Sequence, residues 1–317
     1  QHTRVLEAWG RLEQLSQARR RTIVAVIDSG IALDHEDLVD NLWVNEGEIP
    51  GNGIDDDGNG FVDDVHGYDF YGSLGAPQDD DGHGTHCAGV IAAVADNGLG
   101  VAGIAGRNAD VRIMALRFLG ADGGMSSDAV RALDYAVAMG AAMSSNSWGA
   151  AEPSPAMQAA IASAAANGHL FISAAGNAGS NNDLVPTFPC SYDLPDTICV
   201  ASTTSSSTVS GFSNFGAGHV DIAAPGSDIY STFYPAKYAT LSGTSMACPH
   251  VSGAAALVHS AFPDTTPAGV GEMILASAAE KPWLSGVVAT GGLLDVAALA
   301  ALAESSTWLW VADPATA

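Results

Sequence analysis

The sequence predicts one α/β domain built on a central, mostly parallel β-sheet with helices on both faces. Three observations predict it. Between Val111 and Ala175 short apolar runs ending in Gly or Gly-Asn alternate with longer Ala-rich or amphipathic runs, and strand, helix, strand, helix is the pattern of a parallel sheet. The run Val24 to Gly30 reads as a buried strand with Asp28 at its C-terminal end, where α/β sheets place their chemistry. The chain has 317 residues, of which 47% are apolar, which is enough for one large core and excludes a disordered chain.

In order, residues 1–21 read as a helix, because Val5, Leu6, Trp9, Leu12 and Leu15 recur near period 3.6, with Arg19 to Arg21 as its solvated basic end. This gives a helical arm at 1–22, a main domain at 23–303 and an unassigned tail at 304–317. After the Asp28 strand comes an acidic turn, Asp34 to Asp40, and then an acid-rich insertion at about 46–70. His83 opens a helix, and Val111 to Leu119 is the next strand. Ser127 or Asp128 caps a helix carrying Val130, Leu133 and Val137. Met143 to Trp148 is a strand, Ser154-Pro155 starts a helix that Asn167-Gly168 ends, and Leu170 to Ala175 is a further strand. A Ser/Thr-rich turn follows Cys199, and Val220 to Ala224 leads to an apolar helix containing Pro249, which is close enough to its start only to bend it. Thr266-Pro267 opens another helix, and Leu293 to Ala303 forms the last.

Composition bounds the function. Thirty-five acidic residues stand against 11 basic ones, a formal charge of −24, and only Lys237 and Lys281 are lysines. Nucleic acid and anionic membrane are excluded as partners by that balance. The acidity suits solubility outside the cell, calcium loading or salt adaptation. No run of about 18 apolar residues marks a membrane span, so a soluble protein is expected. The chain opens at Gln1 with polar residues, so any signal peptide or pro-segment is expected to have been removed. Of four cysteines, Cys190 and Cys199 bracket a polar turn that can return the chain to bridging distance, and they are expected to be bonded. Cys87 and Cys248, on two apolar helices, are either buried thiols or a second bridge.

The chemistry concentrates in three motifs. Gly243 to His250 reads Gly-Thr-Ser-Met-Ala-Cys-Pro-His and places Ser245 at a helix N-terminus, where free N–H groups favour an oxyanion. A serine there is ordinarily just a cap. Two further motifs change the weighing: the Asp28 strand end, and Asp81 to Gly89, Asp-Gly-His-Gly-Thr-His-Cys-Ala-Gly, which sets His83 at another helix start. Acid, base and nucleophile in that chain order form one of the independent arrangements of the catalytic triad.

From Ile23 to Val296 the chain resembles the subtilisin-type serine proteases, the subtilases. The resemblance runs through Arg117 to Gly124, Asn146 to Gly149, Ala174 to Asn177, Phe212 to Gly216 and Ala224 to Gly226. It implies an acyl-enzyme protease with Asp28, His83 and Ser245 as triad and Asn177 in the oxyanion hole. It further implies substrate contacts at Gly120, Gly123, Ser147, Trp148, Gly149, Ala174, Ala175, Gly176, Thr187 and Thr244. The two segments 120–124 and 147–149 would hold a peptide backbone as added strands. Thr187 would lie at the base of a pocket for a large apolar or aromatic residue, with Asp183 the one nearby acid. Peptide and protein substrates, a cleaved inhibitory pro-segment, secretion and a monomeric state are implied with it.

Calcium is expected at two places. Asp55, Asp57, Asn59, Gly60 and Asp63 follow the alternation of an EF-hand-like loop, with Phe61 offering its carbonyl and Asp63 or Asp64 closing the site; His66 stands where an EF-hand has its Glu. The other reading of this loop is a plain acidic turn. By resemblance, Asp37, Asn97, Leu99 and Val101 form the second site. Two rival functions use the same residues: transfer of the acyl group to an amine, as peptide ligases do, and a silent calcium-stabilised binding domain.

Overall fold

The computed structural model describes residues 3–15 and 17–305. In chain order the elements are α1 (Val5–Leu12), β1 (Arg21–Asp28), β2 (Gly67–Asp69), α2 (His83–Ala92), β3 (Asp110–Arg117), α3 (Ser126–Ala138), β4 (Met143–Asn146), α4 (Pro155–Ala166), β5 (Leu170–Ala174), β6 (Thr197–Thr203), β7 (Ile222–Pro225), β8 (Ile229–Thr232), β9 (Tyr238–Leu241), α5 (Thr244–Ala261), α6 (Pro267–Ala276), β10 (Ala279–Glu280), β11 (Gly292–Leu293) and α7 (Val296–Glu304). Among the described residues one nine-stranded sheet runs β10-β11-β7-β6-β5-β4-β1-β3-β2, parallel throughout except at β10, and β8 with β9 forms a separate antiparallel hairpin. The expected mostly parallel α/β sheet is what the chain builds.

Alternation along β1 shows why both faces need helices. Val24 and Val26 join one core with Ile91 of α2 and Val251 and Leu257 of α5, while Ala25 and Ile27 join the other with Leu133 of α3 and Ile161 of α4. Helix starts follow local chemistry where the caps are strong. Ser154 Oγ accepts from Met157 N and Thr266 Oγ1 from Gly269 N, each followed by proline in the first turn.

The arm departs from expectation. The apolar period runs on to Leu15, but helix α1 stops at Leu12. Arg19 Nη2 returns to Leu12 O and closes the helix end locally, while the next residue is drawn away across the fold, the Arg20 guanidinium donating to His259 O, Pro263 O and Thr265 O. Arg20 therefore closes the C-terminal end of α5 rather than decorating a solvated terminus. Smaller corrections follow the same logic. Helix α3 starts at Ser126 with no side-chain cap, so neither Ser127 nor Asp128 is the cap. Helix α7 starts at Val296 behind Asp295, whose carboxylate accepts from Ala298 N, because Leu293 is taken into the sheet beside Ala223. It extends to Glu304, and the remainder of the tail lies beyond the described residues.

Cys190 and Cys199 are bonded, with their Cα atoms 5.1 Å apart, whereas Cys87 and Cys248 are buried free thiols. Among the described residues no helix is long and apolar enough to cross a membrane.

Candidate active site

The end of β1 meets the start of α2, and the start of α5 lies against α2, where Cys87 Sγ donates to Ser245 O at 3.4 Å. Strand β1 ends in Asp28, which is fully buried, and α2 begins at His83, whose side chain is 27% exposed. His83 Nδ1 and Asp28 Oδ1 are 2.7 Å apart, and the same oxygen accepts from Ser29 N at 2.7 Å. Burial opposes protonation of the imidazole, but the Asp28 charge and hydrogen bond, then Asp81 and Asp79, outweigh it and carry His83 up to about 9.

Ser245 is the second residue of α5, and its Oγ donates to Ser147 O at 3.2 Å. Asn177, just past β5, accepts from Thr244 N at 2.8 Å and Thr244 Oγ1 at 2.9 Å through its amide oxygen, which turns its NH₂ the other way. Both Asn177 Nδ2 and Ser245 N lie 3.5 Å from the point a Cβ on Gly243 would occupy. Gly243 has extended backbone, so what its lack of a side chain supplies is this space in front of two N–H donors.

Beside the serine a cleft of about 400 Å³ is lined by Ser147, Trp148, Gly149, Ala174, Gly176, Asn177, Thr187 and Thr244, all expected there. Ala175 is fully buried behind it. Asn214 also lines the cleft, a role that its place in the Phe212 to Gly216 segment does not announce; its Nδ2 donates to Thr187 Oγ1 at 3.2 Å and its Oδ1 accepts from Ala178 N and Ser180 N. Trp148 is fixed by Nε1 donating to Ile27 O at 2.8 Å. Asp183 faces elsewhere: its carboxylate accepts from Gly218 N and is 2.9 Å from His219 Nδ1. Gly120 and Gly123 are not open to a peptide at their own amides, because each donates to the other's carbonyl in a tight turn at 3.0 Å, so a peptide strand laid here would have to use neighbouring backbone.

The acidic insertion folds around its carboxylates. Glu48, Asp55 and Asp57 bring ligand oxygens within 4.8 Å of one another, a donor set that fits a hard divalent cation. In sequence Glu48 only flanks the loop; its burial and its bonds from Asp56 N, Asp57 N and Asp63 N put it at the centre. Asp63 and Asp64 do not close this cluster. Asp63 accepts from Asn52 N and Gly53 N, so it braces a neighbouring turn, and Asp64 is fully buried under Asn45, Asn59 and the Tyr135 hydroxyl. Asn59 donates its amide to Asp57 and Asp64, and Phe61 packs its ring against Tyr68 and Tyr135. At the second place Asp37 is met by Asn97 Nδ2 at 2.7 Å and Val101 N at 2.9 Å, while Leu99 N donates to Asn97 Oδ1. Carboxylates at both places are met by N–H groups, and the Glu48 cluster is the better fit for a cation because three carboxylates converge there against the single one of Asp37.

A parallel sheet with an Asp-His pair at two element ends and a serine at a helix N-terminus defines the class of triad hydrolases on an α/β frame. The chain belongs to the subtilase family, whose pattern matches residues 19–298. It is 39% identical to thermitase of Thermoactinomyces vulgaris over 238 residues, 75% of this chain and 74% of that one. It is 34% identical to subtilisin-like protease 1 of Plasmodium vivax over 304 residues, 87% of this chain but 46% of the relative, so it spans under half that protein's length. A solved cold adapted subtilisin-like serine proteinase superposes with a TM-score of 0.67 at 29% identity, covering 91% of this chain and 97% of that one.

Proposed function

We propose that the chain is a serine endopeptidase that hydrolyses peptide bonds through an acyl-enzyme. The carrying observation is convergence: the 2.7 Å Asp28–His83 contact and the two N–H donors facing one space beside Ser245 come from four separate parts of the chain. Ser245 Oγ attacks the carbonyl carbon and its proton passes to His83 Nε2. The developing oxyanion takes hydrogen bonds from Asn177 Nδ2 and Ser245 N. His83 then delivers the proton to the leaving amine, water enters, and the steps run in reverse to free the acid. Asp28, on Nδ1, fixes the tautomer and stabilises the imidazolium.

The cleft takes an apolar side chain, since among the described residues no acid lines it and Asp183 is engaged with Gly218 and His219. Calcium at the Glu48, Asp55 and Asp57 cluster would offset their mutual repulsion and hold the insertion, without entering the reaction. The Cys190–Cys199 bridge supports an oxidising compartment, hence secretion, and the implied partners are peptide and protein substrates and an inhibitory pro-segment acting on a monomer. The test is labelling by a serine-directed fluorophosphonate. Ser245 should carry the label, and Ser245→Ala should lose both label and amidase activity while keeping the far-UV spectrum of the parent. A label on another residue, or amidase activity in Ser245→Ala, rejects the assignment.

A further inference from the structure

A second carboxylate is buried beside the Asp28–His83 pair. Asp79 is 1% exposed. Its Oδ1 accepts from Ser29 Oγ at 3.0 Å, Asp81 N at 3.0 Å and Gly82 N at 2.9 Å, and its Oδ2 accepts from Thr85 N at 3.0 Å and from Thr85 Oγ1. Ser29 Oγ in turn accepts from Gly84 N at 2.9 Å, while Ser29 N donates to the Asp28 oxygen that meets His83. Thr85 Oγ1 receives Ala32 N at 2.9 Å. One carboxylate is thus bonded to the residue after Asp28 and to residues on both sides of His83.

The helix start explains why such an anchor is needed. α2 begins behind Gly82, which has no side chain to cap it, so its first amides are left to others. His83 N goes to Asp81, Gly84 N to Ser29 and Thr85 N to Asp79. The backbones are also in contact: a Cβ on Gly84 would lie 2.2 Å from Gly30 O, and one on Gly30 would lie 2.7 Å from Pro77 O. Strand end, connecting loop and helix start are therefore pressed together with hydrogen bonds to Asp79 in the middle.

The geometry points to Asp79 as a positioning residue for the triad, which through Ser29 and the first turn of α2 fixes the distance and angle of the Asp28–His83 contact. The inference rests on the endopeptidase reading and adds a residue to it. A helix cap and nothing more would cost stability alone. A positioning residue also sets how readily His83 takes the serine proton, because small displacements of a base are costly in rate. The charged and titratable groups facing His83 are Asp28, Asp79, Asp81 and, along its own helix, His86 and Cys87. Asp79 contributes a buried negative charge near His83, so its removal weakens the hold on the proton.

Two variants of the full chain test this, with rates expressed per fluorophosphonate-labelled site. Asp79→Asn should lower kcat about tenfold or more with KM within about twofold, the signature of lost transition-state stabilisation. Its acid limb in kcat/KM should move to lower pH by about half a unit. Ser29→Ala keeps every bond from Asp79 to α2 and removes the Ser29 hydroxyl that joins Asp79 and Gly84 N to the strand of Asp28. It should lower kcat about threefold or more, with a melting temperature lowered by a few degrees because Gly84 N loses its acceptor. Parental kcat and acid limb in folded Asp79→Asn overturn the proposal; if Asp79→Asn does not fold, parental kcat in Ser29→Ala does so. A parent protein that fails to label at Ser245 rejects the endopeptidase reading instead, which keeps the two failures apart.

Discussion

Replacing Asp57 by Asn should reverse in consequence with calcium. The Glu48, Asp55 and Asp57 oxygens lie within 4.8 Å of one another, so Asp57 takes part in two like-charge contacts. At that spacing each contact repels by about 0.9 kcal/mol in the dielectric of water and about 3.5 kcal/mol at an effective dielectric of 20. Asp57 is exposed, which favours the lower figure, so neutralising it relieves about 2 kcal/mol. The same change weakens its bonds from the Asn45 and Asn59 amides, worth about 1 kcal/mol each, and the two effects nearly cancel without cation. With calcium they do not cancel, because a ligand is gone. Binding to the folded loop alone stabilises by about 2.7 kcal/mol at a hundredfold excess over Kd. For 317 residues that corresponds to about 4 °C in Tm. Measured in a Ser245→Ala background, so that self-digestion does not interfere, the parent loop should melt about 4 °C higher in calcium than in chelator. Asp57→Asn should lose most of that difference while matching the parent in chelator. Equal melting of the parent in both conditions, or an equal loss in both from the substitution, would leave the loop a plain acidic turn and refute the reasoning.

Because His83 is raised from 6.5 toward about 9, kcat/KM should climb through an acid limb above pH 6.5; a plateau already reached by pH 5.5 would contradict it. Stability should run the other way: the protonated pair contributes fully below the unfolded value of about 6.5 and its contribution is lost as pH rises through the folded value, at about 1.4 kcal/mol for each pH unit between the two, read as falling Tm in Ser245→Ala. The Thr187 methyl lies between the cleft walls, 3.2 Å and 3.4 Å from where Cβ atoms on Gly149 and Gly176 would be, so Thr187→Gly should raise the kcat/KM ratio of Phe over Ala at P1 about tenfold, and an unchanged ratio removes Thr187 from the pocket floor. Arg20→Ala uncaps three carbonyls at and beyond the end of α5 and should cost about 3 kcal/mol by chemical denaturation, with a loss under about 0.5 kcal/mol showing that water replaces the guanidinium.

Legibility in the sequence follows the range of the forces involved. The strands around Asp28 and Ile172 are readable because a doubly covered strand is apolar on both faces and ends abruptly at a polar residue, whereas β4 is equally buried but reads Met-Ser-Ser-Asn and carries no such apolar run. The candidate triad is readable for the same reason, since each member stands where an apolar run begins or ends. The sequence overextends helix α1 because its apolar stripe continues to Leu15, which does pack on the core, while the chain leaves the helix to let Arg19 bond back to Leu12 O and Arg20 bond to chain more than 200 residues away. β2 leaves no mark in the sequence, being three residues that owe their conformation to the edge of β3. In the insertion the acid count points to a cation, but only the fold shows that Glu48 enters the cluster and that Asp63 and Asp64 are used as braces. Asp79 looks like one of three consecutive acids, and only its burial distinguishes it from Asp80 and Asp81.

Pro249 shows how a local defect can be put to use. Within α5 it lacks the N–H that would bond to the carbonyl four residues earlier, and that carbonyl belongs to Ser245. Read from sequence, the proline only bends the helix. In the fold the freed carbonyl accepts from Ser147 Oγ at 2.9 Å and from Cys87 Sγ at 3.4 Å. Ser147 follows β4 and lines the cleft, and Cys87 lies one turn along α2 from His83. Since Ser245 Oγ donates back to Ser147 O, the two serines are held by a reciprocal pair of bonds. Completing the helical ladder would have spent the Ser245 carbonyl inside α5; leaving it open lets the strand that borders the substrate cleft and the helix that carries the histidine both fix the peptide unit of the nucleophile.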